Sequence, residues 1–150
     1  MYSHWKWEVL ATGKERANRL PFLSTFSAYV DTSLAVHAVA PMFTACSSHG
    51  LETSIYWKSV QYWIECFGER NVLVLDVADY FTDRDSVMHS LEDFVGLPRV
   101  TLPSFPKVVN ENPLQLPPPD SVSMSRLTTF FRPHNEKLWS IIGKRFAWNP

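Results

Sequence analysis

Residues 71–98 carry the clearest change of hydrophobic pattern in the chain, and that change predicts one strand feeding one helix. Val72, Leu73, Val74, Leu75 and Val77 form a nearly continuous aliphatic run, the pattern of a strand buried on both faces in a parallel sheet. Thr82 with Asp85 three residues on predicts a capping box, and the acidic Asp83 and Asp85 suit the positive end of a helix dipole. Val87, Leu91, Phe94 and Val95 then supply an apolar stripe, and Gly96 and Pro98 stop the helix. A strand of this kind needs more sheet than the rest of the chain visibly supplies.

The other segments read mainly as helices. Residues 2–11 predict a short amphipathic helix with Trp5, Val9 and Tyr2 on one side, and residues 13–19 a polar connection. Residues 20–48 are apolar at helical spacing through Phe22, Phe26, Tyr29, Val30, Leu34 and Val39 but are interrupted at Pro41, which predicts two helices or one kinked helix. The most amphipathic segment follows a break at 47–50. There Tyr56, Val60, Trp63 and Phe67 recur at spacings of a helix face and predict a buried stripe, ended by Gly68. Helix, strand and following helix would then make a compact αβα unit. From Arg99 to Asp120 prolines at 103, 106, 113, 117, 118 and 119 predict a semi-rigid loop. The last segment has Leu127, Phe130, Phe131, Leu138, Ile141 and Ile142 at helical spacing, with Pro133 either kinking that helix or opening a second one. Gly143 closes it, and Phe146 and Trp148 are expected to return onto the core.

Composition narrows the function. The 150 residues suit one domain, and six tryptophans spread over every segment favour helices packed through large side chains. A formal net charge of -1 argues against a generic nucleic-acid binder, which would show a basic face or run. Cys46 and Cys66 fit no zinc spacing and stand as either one disulfide or two buried free thiols. No apolar run approaches the roughly 20 residues of a membrane span. An abrupt start at Met1, with no signal-peptide pattern, is the beginning expected of a piece of a longer chain.

Candidate chemistry is sparse. The glycines at 13, 50, 68, 96 and 143 read as element ends, and Gly13-Lys14-Glu15 lacks the spacing and hydroxyl of a phosphate loop. No Gly-x-Ser-x-Gly elbow occurs, and His4, His37, His49, His89 and His134 show no metal-ligand spacing, so surface or hydrogen-bonded core histidines are the expectation. Asp76 and Asp79 straddle the predicted strand end, a place where ligands gather in open sheets, although a solvated strand end is the plainer reading.

Several of these segments, in one order, resemble the C-terminal half of a sulfotransferase domain of the carbohydrate type. Ile55-Tyr56 with Val60 and Trp63 is similar to that family's Gly-Leu-Tyr, apolar, Trp helix, and residues 71–81, NVLVLDVADYF, to its aliphatic strand. Residues 93–98, DFVGLP, are similar to its Phe-Leu-Gly-Leu. The closing segment, with Phe131, Pro133, Asn135, Leu138, Gly143 and Trp148, is the most specific part. Ser54 stands where the family usually has Gly and Ala78 where it has Glu, and neither is carried over as functional. The proline-rich loop also lacks the family's lysine and glycine-rich cofactor loop.

The resemblance implies an α/β fold, a partial P-loop-NTPase-like sulfotransferase domain with mostly helices around a short parallel sheet remnant, and residues 1–150 as a single partial domain. It implies transfer of a sulfuryl group from 3′-phosphoadenosine 5′-phosphosulfate (PAPS) to a glycan hydroxyl or amine, without a metal, in the Golgi. Tyr2-Ser3 is similar to the end of the family's 3′-phosphate motif, which makes Ser3 the one cofactor-binding candidate. The donor loop and general base lie in the family's N-terminal half and match no residue here, so the chain by itself is expected to be inactive. The alternative is a non-catalytic, mostly helical interaction module derived from such a domain that binds a partner through its unpaired sheet edge.

Overall fold

The computed structural model describes residues 2–39, 49–101 and 116–148. They form helices α1 (Tyr2–Thr12), α2 (Lys14–Ala17), α3 (Phe26–Val39), α4 (His49–Glu52), α5 (Tyr56–Phe67), α6 (Val77–Thr82), α7 (Arg84–Val95) and α8 (Ser121–Ile142), with one tight helical turn at Glu69–Asn71. The expected α/β architecture is not what forms. Among the described residues there is no strand and hence no parallel sheet remnant, so the P-loop-NTPase-like fold class is overturned.

Residues 72–76 show why the sequence pointed the other way. The two ends of the run are extended, Val72 at φ -124 and ψ 113 and Asp76 at φ -89 and ψ 128. A strand, however, also needs a neighbour about 4.8 Å away to take its ladder hydrogen bonds. The peptide groups of Leu73, Val74 and Leu75 bond to nothing among the described residues. β-branched residues set backbone conformation; they do not supply the partner.

The core lies at the other end of the chain. Trp5 and Val9 of α1, as expected, are buried together with Leu23, Phe26, Tyr29, Val30, Leu51 and Leu127. The Trp5 indole N–H donates to the Leu23 carbonyl at 3.1 Å, and its ring lies 5.7 Å from that of Phe26. The predicted polar connection contains the short α2, whose Ala17 is also buried.

Helix α8 links this core to the rest. It runs unbroken through Pro133, so no second helix opens there. Its first half brings Leu127 against α3, and its second half lies along α5. Asp120 caps it, its carboxylate accepting the Ser123 N–H at 2.8 Å, and that hydrogen bonding holds the Asp120 carboxyl below the usual range. Gly143 ends it at φ 64, a left-handed conformation that costs a side chain about 1 kcal/mol.

Two local expectations shift. Asp83, not Thr82, caps α7, its carboxylate accepting the Ser86 N–H at 3.1 Å, while Thr82 closes α6 and donates its hydroxyl to the Ala78 carbonyl. The predicted buried stripe of α5 is largely uncovered: Tyr56, Trp63 and Phe67 are each half-exposed or more. Cys66 on the same helix is a free, exposed thiol rather than a buried one. Pro41, Cys46 and most of the proline-rich loop, residues 102–115, lie outside the described residues.

Candidate functional site

A groove of about 940 Å³ lies between α5, α8, residues 74–77 and the segment after α8. Its floor comes from one stripe of α8, where Thr128, Arg132, Asn135 and Trp139 recur at spacings of four, three and four. Tyr56 and Val60 of α5 make one wall, and residues 74–76 with Val77 at the start of α6 make another. Apolar and aromatic side chains dominate, with a few polar groups at fixed positions, which is the usual make-up of a ligand cleft.

The tail closes the groove through a single strong contact. The Trp148 indole N–H donates to Asp76 Oδ2 at 2.7 Å, while Asp76 Oδ1 accepts the Ala78 N–H at 2.9 Å and so caps α6. Asp76 is buried at 7 % exposure. Of the two acids at the predicted strand end, it is therefore an anchor and not a solvated terminus. Asp79 is exposed and lies 3.7 Å from Lys144, a pairing that water largely screens. Trp148 also stacks on Phe146 at 5.1 Å and meets the Tyr56 ring at 6.1 Å.

Two cations face the groove. The Arg145 guanidinium sits 4.6 Å from the centre of the Trp139 ring, a cation–π geometry. Arg132 forms no ion pair among the described residues, and Glu136 is the acid on the same lining. Neither arginine was singled out from sequence. The signal was present in the Arg132, Asn135 and Trp139 spacing on one helix face, but it was overshadowed by the stronger apolar stripe of Leu127, Phe131 and Leu138 beside it.

A second polar cluster ties α3, α4, α5 and α8 together. His37 Nδ1 lies 2.7 Å from Glu52 Oε1, and Lys58 approaches Glu52 Oε2 at 3.4 Å. The Trp57 indole N–H donates to His134 Nδ1 at 3.2 Å, and the Phe130 ring separates the two imidazoles. Burial, then the positive charge of Lys58 and His37, pushes the His134 imidazole below its usual pKa. The cluster ties the four helices together. His134 is thus a hydrogen-bonded histidine of the kind expected, and His37 lies against Glu52.

Ser3 falls in the first turn of α1, and its side chain lies outside the described residues. Ser54 donates its hydroxyl to the Gly50 carbonyl at 2.7 Å. Of the closing-segment residues, Leu138 is buried, Phe131 and Trp148 are half-buried, and Asn135 and Trp148 reach the groove. The segment therefore docks as expected. Among the described residues no group of His, Cys, Asp and Glu is placed to hold a metal, and no helix is long and apolar enough to cross a membrane.

No family model matches the chain, and no solved structure matches it. Its similarity to a curated protein is to a sulfotransferase. That relative is the membrane-associated sulfotransferase kil1 of Dictyostelium discoideum, 26% identical over 98 residues. The match takes in 65% of this chain and 20% of the relative, so the chain spans about a fifth of the length of the protein it resembles. A sulfotransferase-like origin follows from this distant relationship; the donor and acceptor do not.

Proposed function

We propose that this chain is one structural unit, residues 1–150, of a sulfotransferase that moves a sulfuryl group from PAPS to a glycan hydroxyl or amine. The observation that carries the reading is the 26% identity over 98 residues to a sulfotransferase. The family-like closing segment supports it, since its residues converge on one corner through Leu138, Asn135 and Trp148. In the reaction the acceptor oxygen or nitrogen bonds to sulfur and loses its proton, and adenosine 3′,5′-bisphosphate leaves with the bridging oxygen.

Within this chain the donor contact is assigned to Ser3. A hydroxyl in the first turn of a helix adds one donor to the free peptide N–H groups there, and together they suit a phosphate. That assignment rests on the resemblance of Tyr2-Ser3 to the family's 3′-phosphate motif. No residue here matches the donor loop or general base of the family, so the chain alone is expected to transfer no sulfuryl group. Each missing charge-assisted hydrogen bond weakens donor binding by about 1.5–3 kcal/mol. A Golgi location belongs to the same reading, and the description of the relative as membrane-associated fits it.

Calorimetry with adenosine 3′,5′-bisphosphate tests the assignment. The chain as given should bind it no tighter than millimolar, and a form extended to the length of the relative should bind it in the micromolar range and transfer labelled sulfate to a heparan-type acceptor. Equal affinity of the extended form and its Ser3→Ala variant would remove Ser3 from the site. Absence of transfer by the extended form to any glycan or other hydroxyl or amine acceptor would remove the function.

A further inference from the structure

Helix α5 starts without a side-chain cap: Ile55 stands at its N-cap and offers no hydrogen bond, and none of the residues within the helix is buried. Its start is held instead by contacts with other elements. Ile55 itself is buried, the Tyr56 ring meets that of Trp148 at 6.1 Å, and Lys58 reaches Glu52 of α4 at 3.4 Å. The half-buried Trp57 donates its indole N–H to His134 Nδ1 on α8 at 3.2 Å. Among these contacts, the last depends on an acceptor that takes up a proton near neutral pH.

A proton on His134 reverses that contact. The Trp57 N–H needs the lone pair of Nδ1, and an imidazolium carries an N–H on both nitrogens, so two donors would face each other. The charged groups that face His134 are Lys58 of α5, His37 of α3 and Glu52 of α4. Glu52 is already set against His37 and Lys58, and repulsion between a protonated His134 and Lys58 acts between α8 and α5 themselves. Lys137 of α8 lies 5.9 Å from the centre of the Trp57 ring. The Phe130 ring, 5.0 Å from His37 and 5.3 Å from His134, offers the new proton no acceptor oxygen. Two chain neighbours carry the change to the groove: Tyr56, next to Trp57, and Asn135, next to His134, both line it.

We propose that His134 is a proton-sensitive latch on the Tyr56 wall of the groove. Neutral, with its proton on Nε2, it accepts the Trp57 N–H and holds the first turn of α5 against α8. Protonated, it releases Trp57, and Tyr56 moves away from Trp148 about the buried Ile55, so the groove widens at that end. Burial of the ring, then the charges of Lys58 and His37, put the transition below the ordinary histidine value of about 6.5. The groove is therefore narrower at neutral pH and opens in mild acid. The Trp5 indole bonds to a backbone carbonyl, which does not titrate, so the core keeps its packing through the transition. The latch acts whether or not the chain takes part in sulfuryl transfer.

NMR of the full 150-residue chain from about pH 8 to about pH 5, which brackets histidine titration, tests the latch. The His134 ring, the Trp57 indole N–H and the Tyr56 and Val60 amides should shift with one midpoint. Below it, the nuclear Overhauser contact between the Tyr56 and Trp148 rings should be lost, while the Trp5 indole N–H stays in place. His134→Gln puts a non-titrating amide oxygen beside Trp57 and should abolish the shifts at Tyr56 and Val60, whereas His37→Gln should leave them. Trp57→Phe removes the donor from the other side and should hold Tyr56 in its low-pH position at every pH. A His134 titration that leaves Trp57 and Tyr56 unmoved overturns the inference, as does a Tyr56 transition that persists in His134→Gln or in Trp57→Phe. Loss of the transition in His37→Gln alone overturns it in favour of the His37 to Glu52 contact as the sensor. Simultaneous loss of the Trp5 signal overturns it in favour of global acid unfolding.

Discussion

Trp5 in α1 and Trp63 in α5 belong to two regions that meet along α8 and differ in what they cover. Trp5 is 4% exposed, hydrogen-bonded through its indole and surrounded by α3, α4 and the start of α8. Trp63 is 55% exposed, in a helix with no buried residue, and its nearest ring is Phe67 on its own helix at 5.4 Å. The first region closes its apolar faces on one another. The second, running from α5 through α7, leaves Phe67, Val77, Phe81 and Leu97 largely in solvent. Stability is therefore expected to come from one end of the molecule, and surface available for binding from the other.

The largest effect should come from the first region. Trp5→Ala is expected to cost about 3–5 kcal/mol in urea unfolding, as for other large core aromatics. It removes a buried ring and leaves the Leu23 carbonyl without its donor. A loss under about 1 kcal/mol, the scale of a tolerated substitution, would show that α1 does not form part of the core.

The contact between the regions should matter less. Asp76→Ala removes both the cap of α6 and the acceptor for Trp148, for an expected cost of about 1–3 kcal/mol. Trp148→Phe tests the same bond from the other side. The two substitutions should cost less together than the sum of their separate costs, because they share one interaction. Strict additivity would mean that the tail docks through its rings alone.

Acid should loosen the second polar cluster. The His134 imidazole is held below its usual value, so the unfolded chain takes up this proton more readily than the folded one. The contribution is present above about pH 6.5, the ordinary histidine value, and is lost as pH falls through the lower folded value. Protonation at Nδ1 also abolishes the acceptor for the Trp57 indole. The urea midpoint of the native chain should thus fall on acidification by more than that of His134→Gln, and the His134 ring should titrate in NMR below the ordinary value. A ring that titrates at or above that value would contradict the burial seen here.

Sequence made some of this visible and hid the rest for physical reasons. Periodicity placed α1 and its buried Trp5 and Val9, and glycine chemistry placed the ends of α7 and α8 at Gly96 and Gly143. These are local properties. The expected strand does not form because the aliphatic run from Val72 encodes extended backbone without encoding a neighbour, and Val77 already opens α6. The cap of α7 moved by one residue because Thr82 and Asp83 both offer a side-chain oxygen and only the backbone turn decides between them. In the groove, Asp76 was legible as a strand-end acid, but its bond to Trp148 joins residues 72 positions apart. Arg132 and Arg145 gained meaning only when α8 and the tail were brought together.

The smallest expected effect is the one that most sharpens the contrast. An amphipathic stripe shows that a helix has an apolar face, and it says nothing about whether that face is covered. In α5 it is not: Tyr56, Trp63 and Phe67 retain half or more of their surface in water. Trp63→Ala in this chain should therefore change stability by no more than about 0.5 kcal/mol, the range of ordinary surface substitutions. The same substitution should raise solubility, since it removes part of an exposed aromatic patch. A cost of about 3 kcal/mol or more, comparable to that of Trp5→Ala, would mean that α5 is covered in solution, and the distinction between the two regions would fail with it.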